Sequence, residues 1–173
     1  MSATDSDSGV PSDSGDSSIR PVAISVSRDA GSKVELIFSY ITIFRLPGLR
    51  KKKGFFVALI NTFKKPTEPS KLCANAKFTS FNLTASSLQF SVDVRRERRK
   101  RARKHPVRDR IDTFTCNVRK FPTSVNPDSA EFEILEPESG DCFVVISLMK
   151  TSDLSVNWKE YQEVNGTIDI MDA

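Results

Sequence analysis

Leu88 to Val118 reads LQFSVDVRRERRKRARKHPVRDRIDTFTCNV, and its two ends follow one rule while its middle follows another. Leu88, Phe90, Val92 and Val94 alternate with Gln89, Ser91, Asp93 and Arg95; Phe114, Cys116 and Val118 alternate with Thr115, Asn117 and Arg119. A period of two is what a strand needs when one face lies on a core and the other in water. The stretch therefore predicts two half-buried strands in a hairpin-like arrangement. Between them stand ten cations, Arg95, Arg96, Arg98, Arg99, Lys100, Arg101, Arg103, Lys104, Arg108 and Arg110, against two acids, Glu97 and Asp109. That is a local balance of +8 in a chain whose whole balance is +4. A mildly acidic body thus carries one cationic block, which focuses potential where scattered charge would only aid solubility. The connection reads either as a flexible loop or as a short helix up to Lys104, because Arg and Lys are good helix formers and Pro106 would end it. Both forms expose the cations.

Outward from this pair the pattern stays strand-rich. Val34 to Leu46, VELIFSYITIFRL, is β-branched and aromatic and stops at the turn signal Pro47-Gly48. In LRKKKGFFVALINTFKKP, residues Phe55, Phe56, Leu59, Ile60 and Phe63 fall at helical spacing, with Lys51, Lys52 and Lys53 before them and Lys64 and Lys65 after; this predicts a short amphipathic helix. The loop PTEPS follows, then a short strand marked by Phe78, Phe81 and Leu83. Phe132 and Ile134 precede the turn-rich EPESGD, CFVVISL (Cys142 to Leu148) reads as a central strand, and Leu154, Val156, Trp158 and Tyr161 form a last weak apolar series. The class these elements predict is α+β, a mostly antiparallel sheet with one or two helices and a disordered acidic amino-terminal tail. The expected organisation is a tail over residues 1–20, a single α+β domain over 21–164 containing the basic connection 95–110, and a loose acidic end over 165–173.

Residues 1–18, MSATDSDSGVPSDSGDSS, offer almost nothing to bury, so ordering them would cost backbone entropy that no contact repays. The pattern D-S-G-x-x-S occurs there twice, at 7–12 and 13–18, and resembles the doubly phosphorylated degron read by an F-box subunit of a host ubiquitin ligase. Ser8, Ser12, Ser14 and Ser18 are the phosphorylation candidates, and each phosphate would add roughly −1.5 to −2 of charge. A low-complexity solubilising tail accounts for the same composition.

Length and composition narrow the classes. The 173 residues, 38% hydrophobic with twelve Phe, suffice for one modest core. No apolar run approaches the roughly 18 residues that span a bilayer, and the amino terminus has neither a basic n-region nor an apolar h-region, so the expectation is an intracellular protein. Cys73, Cys116 and Cys142 are odd in number and widely spaced without a CxxC pair, which predicts reduced core residues and neither a disulfide framework nor a zinc knuckle. The sequons at Asn82 and Asn165 then read as chance matches. His105 is the single histidine and sits among cations that disfavour its protonation. No His-based triad, multi-His metal site or phosphate-cradling Gly loop can be assembled, so the reading is non-enzymatic, with no cofactor, no metal and no catalytic residue.

Binding is where these residues point. Five to eight phosphate contacts would give a log–log salt slope of about −4 to −7 on duplex DNA, a strong term blind to sequence. The block has little aromatic interleaving and no base-reading pattern, so nonspecific attachment to RNA, nucleoprotein or an anionic surface is expected. RRERRKRARK also resembles a monopartite nuclear-import signal, which makes importin a candidate partner. Lys51, Lys52, Lys53, Phe55, Phe56, Lys64 and Lys65 have the makeup of an interfacial membrane helix, although a small protein also needs such Phe side chains for its core.

The order of parts is similar to that of small rhabdovirus matrix proteins of plant-infecting members: a polar tail, the long strand VELIFSYITIFRLP, the aromatic helix GFFVALINTF, hairpin strands and the late strand FVVISLMK, over roughly residues 30–160. Pro66-Thr67-Glu68-Pro69 resembles the P-T/S-x-P budding motif; PPxY is missing, and the amino-terminal arm is acidic where many family members have a basic one. The resemblance implies a virion structural protein that self-associates and couples viral nucleoprotein or RNA to an anionic membrane surface, in the virion, at the periphery of membranes and in the host cytoplasm; the import-like run makes the host nucleus a further candidate location. The alternative is a nuclear RNA-binding regulator such as a silencing suppressor.

Overall fold

In the computed structural model, which describes residues 19–40, 48–54, 69–96, 110–137 and 142–170, seven strands form one sheet. They are β1 (Ile19–Asp29), β2 (Lys33–Tyr40), β3 (Ala76–Leu83), β4 (Leu88–Arg96), β5 (Arg110–Val118), β6 (Val125–Leu135) and β7 (Phe143–Lys150). Their spatial order is β3-β4-β5-β1-β2-β7-β6. Every neighbouring pair is antiparallel except β1 with β5, which run parallel through Ile19, Arg20 and Pro21 opposite Thr113, Phe114 and Thr115.

This corrects the α+β expectation. The described chain is mostly strand in a mixed, nearly closed, barrel-like sheet, and it contains one α-helix, α1 (Trp158–Asn165), with a 3-10 turn at Pro69–Leu72. Alternation tells which face of a strand is buried but not which partner it takes or in which sense. The parallel β1–β5 pair joins segments far apart in sequence, so no local pattern announces it. The strands flanking the cations do pair antiparallel in continuous register from Leu88–Val118 to Arg96–Arg110. Of the long strand expected over 34–46, residues 41–47 lie outside the described residues, as does the expected helix over Phe55 to Phe63.

Along β1, β2, β4, β5 and β7 alternate side chains turn inward, and these series make most of the core: Val22, Ile24 and Val26; Val34, Leu36 and Phe38; Leu88, Phe90, Val92 and Val94; Phe114, Cys116 and Val118; Val144, Ile146 and Leu148. Full burial of each large apolar side chain contributes about 1.5–3 kcal/mol. The edge strands β3 and β6 meet across the core through Phe81 and Phe132, whose rings stand edge to face at 5.2 Å. Backbone bonds close the same seam at one end, from Phe121 N–H to Ser86 O (2.7 Å) and from Val125 N–H to Ala85 O (2.8 Å). A curled sheet with its edges joined leaves little strand edge unpaired.

Helix α1 covers a part of β1 that β5 leaves open, because β5 pairs with β1 only as far as Pro21. The Gln162 amide takes the place of a strand there: Val26 N–H donates to Oε1 (2.8 Å) and Nε2 donates to Ile24 O (2.7 Å). Asn157 caps the helix through Oδ1, and Gly166, at φ 73°, ends it in the left-handed conformation that glycine adopts without strain. Residues 165–170 are not the loose end that their composition predicts. Ile168 is buried, Asp169 accepts from the backbone N–H groups of Arg119 and Lys120, and Ile170 N–H donates to Lys120 O.

Candidate polyanion-binding end of the barrel

The basic connection lies in sequence between Arg96, the last residue of β4, and Arg110, the first of β5, and these two residues sit opposite each other in register. On β5 the inward parity of Phe114, Cys116 and Val118 continues back to Asp112, whose side chain is therefore carried out of water completely. A lone buried carboxylate would be costly, and the sequence supplies two guanidinium groups for it. Arg110 Nε donates to Oδ1 at 2.8 Å, while Arg96 Nε stands 2.6 Å from Oδ2, close as an ion pair but off-axis for a hydrogen bond. Arg96 and Arg110 keep 35% and 49% of their side-chain surface exposed, so one carboxylate inside leaves a net positive charge at the mouth.

A second cationic stretch arrives at the same end. Asn75 stitches it there: Nδ2 donates to Gly48 O (2.7 Å) and Arg95 O (2.8 Å), and Oδ1 accepts from Arg50 N–H (2.8 Å). Gly48 adopts φ +82° and lies so close to Arg96 that a Cβ would stand 3.1 Å from Cγ of that side chain. Beyond it, Ala74 N–H donates to Arg50 O, Lys52 N–H donates to Leu72 O, and Lys51 bridges Cys73 through the backbone. Arg50, Lys52 and Lys53 are exposed, and Lys51 is half-buried. Lys53 Nζ reaches Glu136 at 3.3 Å with 78% of its side chain in water, a pairing of little energetic weight.

Beside these residues a cleft of about 380 Å³ opens on the outer face of β3, β4 and β5, lined by Ala74, Asn75, Ala76, Lys77, Asp93, Arg95 and Ile111. Asp93 accepts from Thr113 Oγ1 at 2.7 Å, which engages its carboxylate within the sheet. The lining offers cationic and apolar contact but no aromatic face on which a base could stack.

Of the residues the sequence nominates, Arg95, Arg96, Arg110, Lys51, Lys52 and Lys53 come together at this end. Arg98, Arg99, Lys100, Arg101, Arg103, Lys104 and Arg108 lie outside the described residues, as do Phe55, Phe56, Lys64 and Lys65 and the tail serines Ser8, Ser12, Ser14 and Ser18. Sequence reasoning passed over Arg50, Lys77, Asn75 and Asp112. Asp112 had a signal, its place in the alternation of β5; Asn75 had none, since its partners are distant in sequence.

Cys73, Cys116 and Cys142 are buried and form no disulfide. Burial pushes the Cys73 thiol up to about 12, with the neighbouring Cys142 adding to it, and pushes Cys116 up to about 12, with Asp169 adding to it. Among the described residues no three His, Cys, Asp or Glu side chains gather as a metal ion would require, and no helix is long and apolar enough to cross a membrane. No protein-family model matches the chain, and no curated protein matches it in sequence.

Proposed function

We propose that this chain is a non-enzymatic structural protein of the viral matrix type, which self-associates and bridges ribonucleoprotein and an anionic membrane surface through the cationic end of its barrel. The observation that carries the polyanion part is convergence: Arg50 to Lys53 and the run that begins at Arg95 are far apart in sequence, yet Asn75 binds both backbones within 2.8 Å. Two cationic stretches at one place give a field that neither gives alone, and phosphates are drawn to it regardless of base sequence. The matrix part rests on the resemblance in element order.

The test measures binding of the full chain to a fluorescein-labelled single-stranded RNA, and to vesicles with and without phosphatidylserine, over a range of NaCl, alongside sedimentation velocity. Expected are salt-sensitive RNA binding, co-sedimentation with the anionic vesicles only, and oligomers that grow with concentration. Changing Arg98, Arg99, Lys100 and Arg101 to Gln should weaken RNA binding and flatten its salt slope while leaving the melting temperature nearly unchanged. A monomer that binds RNA and ignores lipid would replace the matrix reading with the regulatory one. Failure to bind either polyanion at low salt would overturn both.

A further inference from the structure

The register of β1 carries a consequence for the residues that precede it. Ile19, its first residue, pairs with Thr113 of β5, only three positions from Arg110 and two from Ile111, which lines the cleft. With strands about 5 Å apart and roughly 3.3 Å per residue along them, Ile19 lies about 8 Å from Ile111. Ile19 is 70% exposed, Ile111 is 43% exposed, and both belong to the outer face on which the cleft opens. Residues 1–18 are therefore tethered at the rim of the cationic end. They contain four Asp (Asp5, Asp7, Asp13 and Asp16) and no Lys or Arg.

We infer that the acidic segment 1–18 docks on the barrel end formed by Lys77, Arg95, Arg96, Arg110 and Ile111 and competes there with an external polyanion. The inference rests on the polyanion-binding reading for the competitor but not for the docking itself. Reach is ample, because eighteen residues of chain can extend up to about 60 Å, enough to bring the segment to any part of this end of the barrel. A tether of that length presents the segment at an effective concentration on the order of millimolar, enough for weak ionic contacts to be occupied without any pocket shaped for them. Val10 is the segment's one branched apolar residue and the exposed pair Ile19 and Ile111 is the matching apolar ground, so charge and apolar contact favour the same place. Phosphates on Ser8, Ser12, Ser14 and Ser18 would each add roughly −1.5 to −2 and pair with guanidinium groups, tightening the contact. The tail then acts as a built-in competitor whose strength follows its phosphorylation.

The experiment keeps the full chain. Ser2→Cys supplies a site for a nitroxide, selective because the three native thiols are buried. Paramagnetic broadening of backbone amide signals is recorded in this protein and in a second one that also has Asp5, Asp7, Asp13 and Asp16 changed to Asn. The tether is the same in both, so only docking distinguishes them. Docking predicts stronger broadening at Lys77, Arg95, Arg110 and Ile111 in the Asp form, lost in 0.5 M NaCl. In parallel, the Asn variant should bind the labelled RNA about twofold to tenfold more tightly than wild type, and a variant with Ser8, Ser12, Ser14 and Ser18 changed to Asp should bind it more weakly. Equal broadening in both tails overturns the inference, even where RNA still binds. Charge-dependent broadening in a protein that fails to bind RNA sustains the docking and overturns only the reading of the external ligand.

Discussion

Lys150 Nζ stands 2.6 Å from Asp29 Oδ2 with both side chains out of water, at the end of the barrel opposite the cationic one. Lys150 continues the inward series Val144, Ile146, Leu148 of β7 just as Asp112 continues that of β5. Each end of the core thus has an ionised side chain at an apolar position. The two ends differ in how completely the charge is answered. Lys150 also donates to Val156 O (2.7 Å), and Asp29 accepts from the N–H groups of Trp158 (2.7 Å) and Gly31 (3.0 Å), so the pair knots β1, β7 and the start of α1 with its donors and acceptors used. At the other end one carboxylate faces two arginines and a positive excess remains.

That contrast gives the first prediction. Lys150→Met leaves Asp29 charged and buried, and Asp29→Asn leaves Lys150 so; either should cost about 3–5 kcal/mol in urea unfolding. The double variant should lose clearly less than the sum, since the second change removes the charge that the first stranded. Additive losses would mean that the two side chains act on stability independently.

At the cationic end, Asp112→Asn should cost about 1–3 kcal/mol, because two guanidinium stems then crowd a neutral amide that can donate as well as accept. Arg96→Gln or Arg110→Gln alone should cost under about 1 kcal/mol, as each is partly solvated and its twin still answers the carboxylate. Changing both should cost more than twice the single value, for Asp112 is then buried alone. Denaturant midpoints of the four proteins check this, and equal losses for single and paired arginine changes would refute it.

Much of the barrel was legible because strands with one wet face write a period of two. β4 and β5 could be read residue by residue, and Val22, Ile24 and Val26 of β1 write the same period, although the residues before Val34 drew no strand assignment. What could not be read was partnership. β1 meets β5 in parallel through three residues, and β3 approaches β6 through one pair of rings; neither contact leaves a mark within either segment. The site divides in the same way. Its charge was visible in composition, but its assembly depends on Asn75, an ordinary polar residue between two elements that happens to reach three backbone groups. Asp112 lay in plain alternation and was hidden by its type, since an acid at a core position breaks the apolar pattern by which cores are recognised.

Gln162 gives a prediction about a strand edge. Gln162→Ala removes both bonds to β1 and leaves Val26 N–H and Ile24 O without their amide partner, at a cost of about 1–2 kcal/mol. Hydrogen exchange at the Val26 amide should accelerate far more than at Leu36, which lies inside the sheet between β1 and β7. Uniform acceleration at both would show that the substitution acts on global stability alone.

The buried thiols set a pH dependence with a definite sign. Cys73 and Cys116 are held protonated up to about 12 by burial, whereas an ordinary thiol in the unfolded chain ionises near 9.0. Between those values the folded protein binds more protons than the unfolded one, so their contribution is fully present below pH 9 and is lost as pH rises toward 12. Each thiol should contribute about −1.4 kcal/mol per pH unit to the slope once the unfolded form is ionised. Urea midpoints at pH 8, 9 and 10 should therefore fall more steeply for wild type than for a Cys73→Ala, Cys116→Ala variant, in which every other titrating group is retained and cancels from the comparison. Parallel slopes would mean that the folded protein ionises these thiols as readily as the unfolded chain does, and that the core around them admits water.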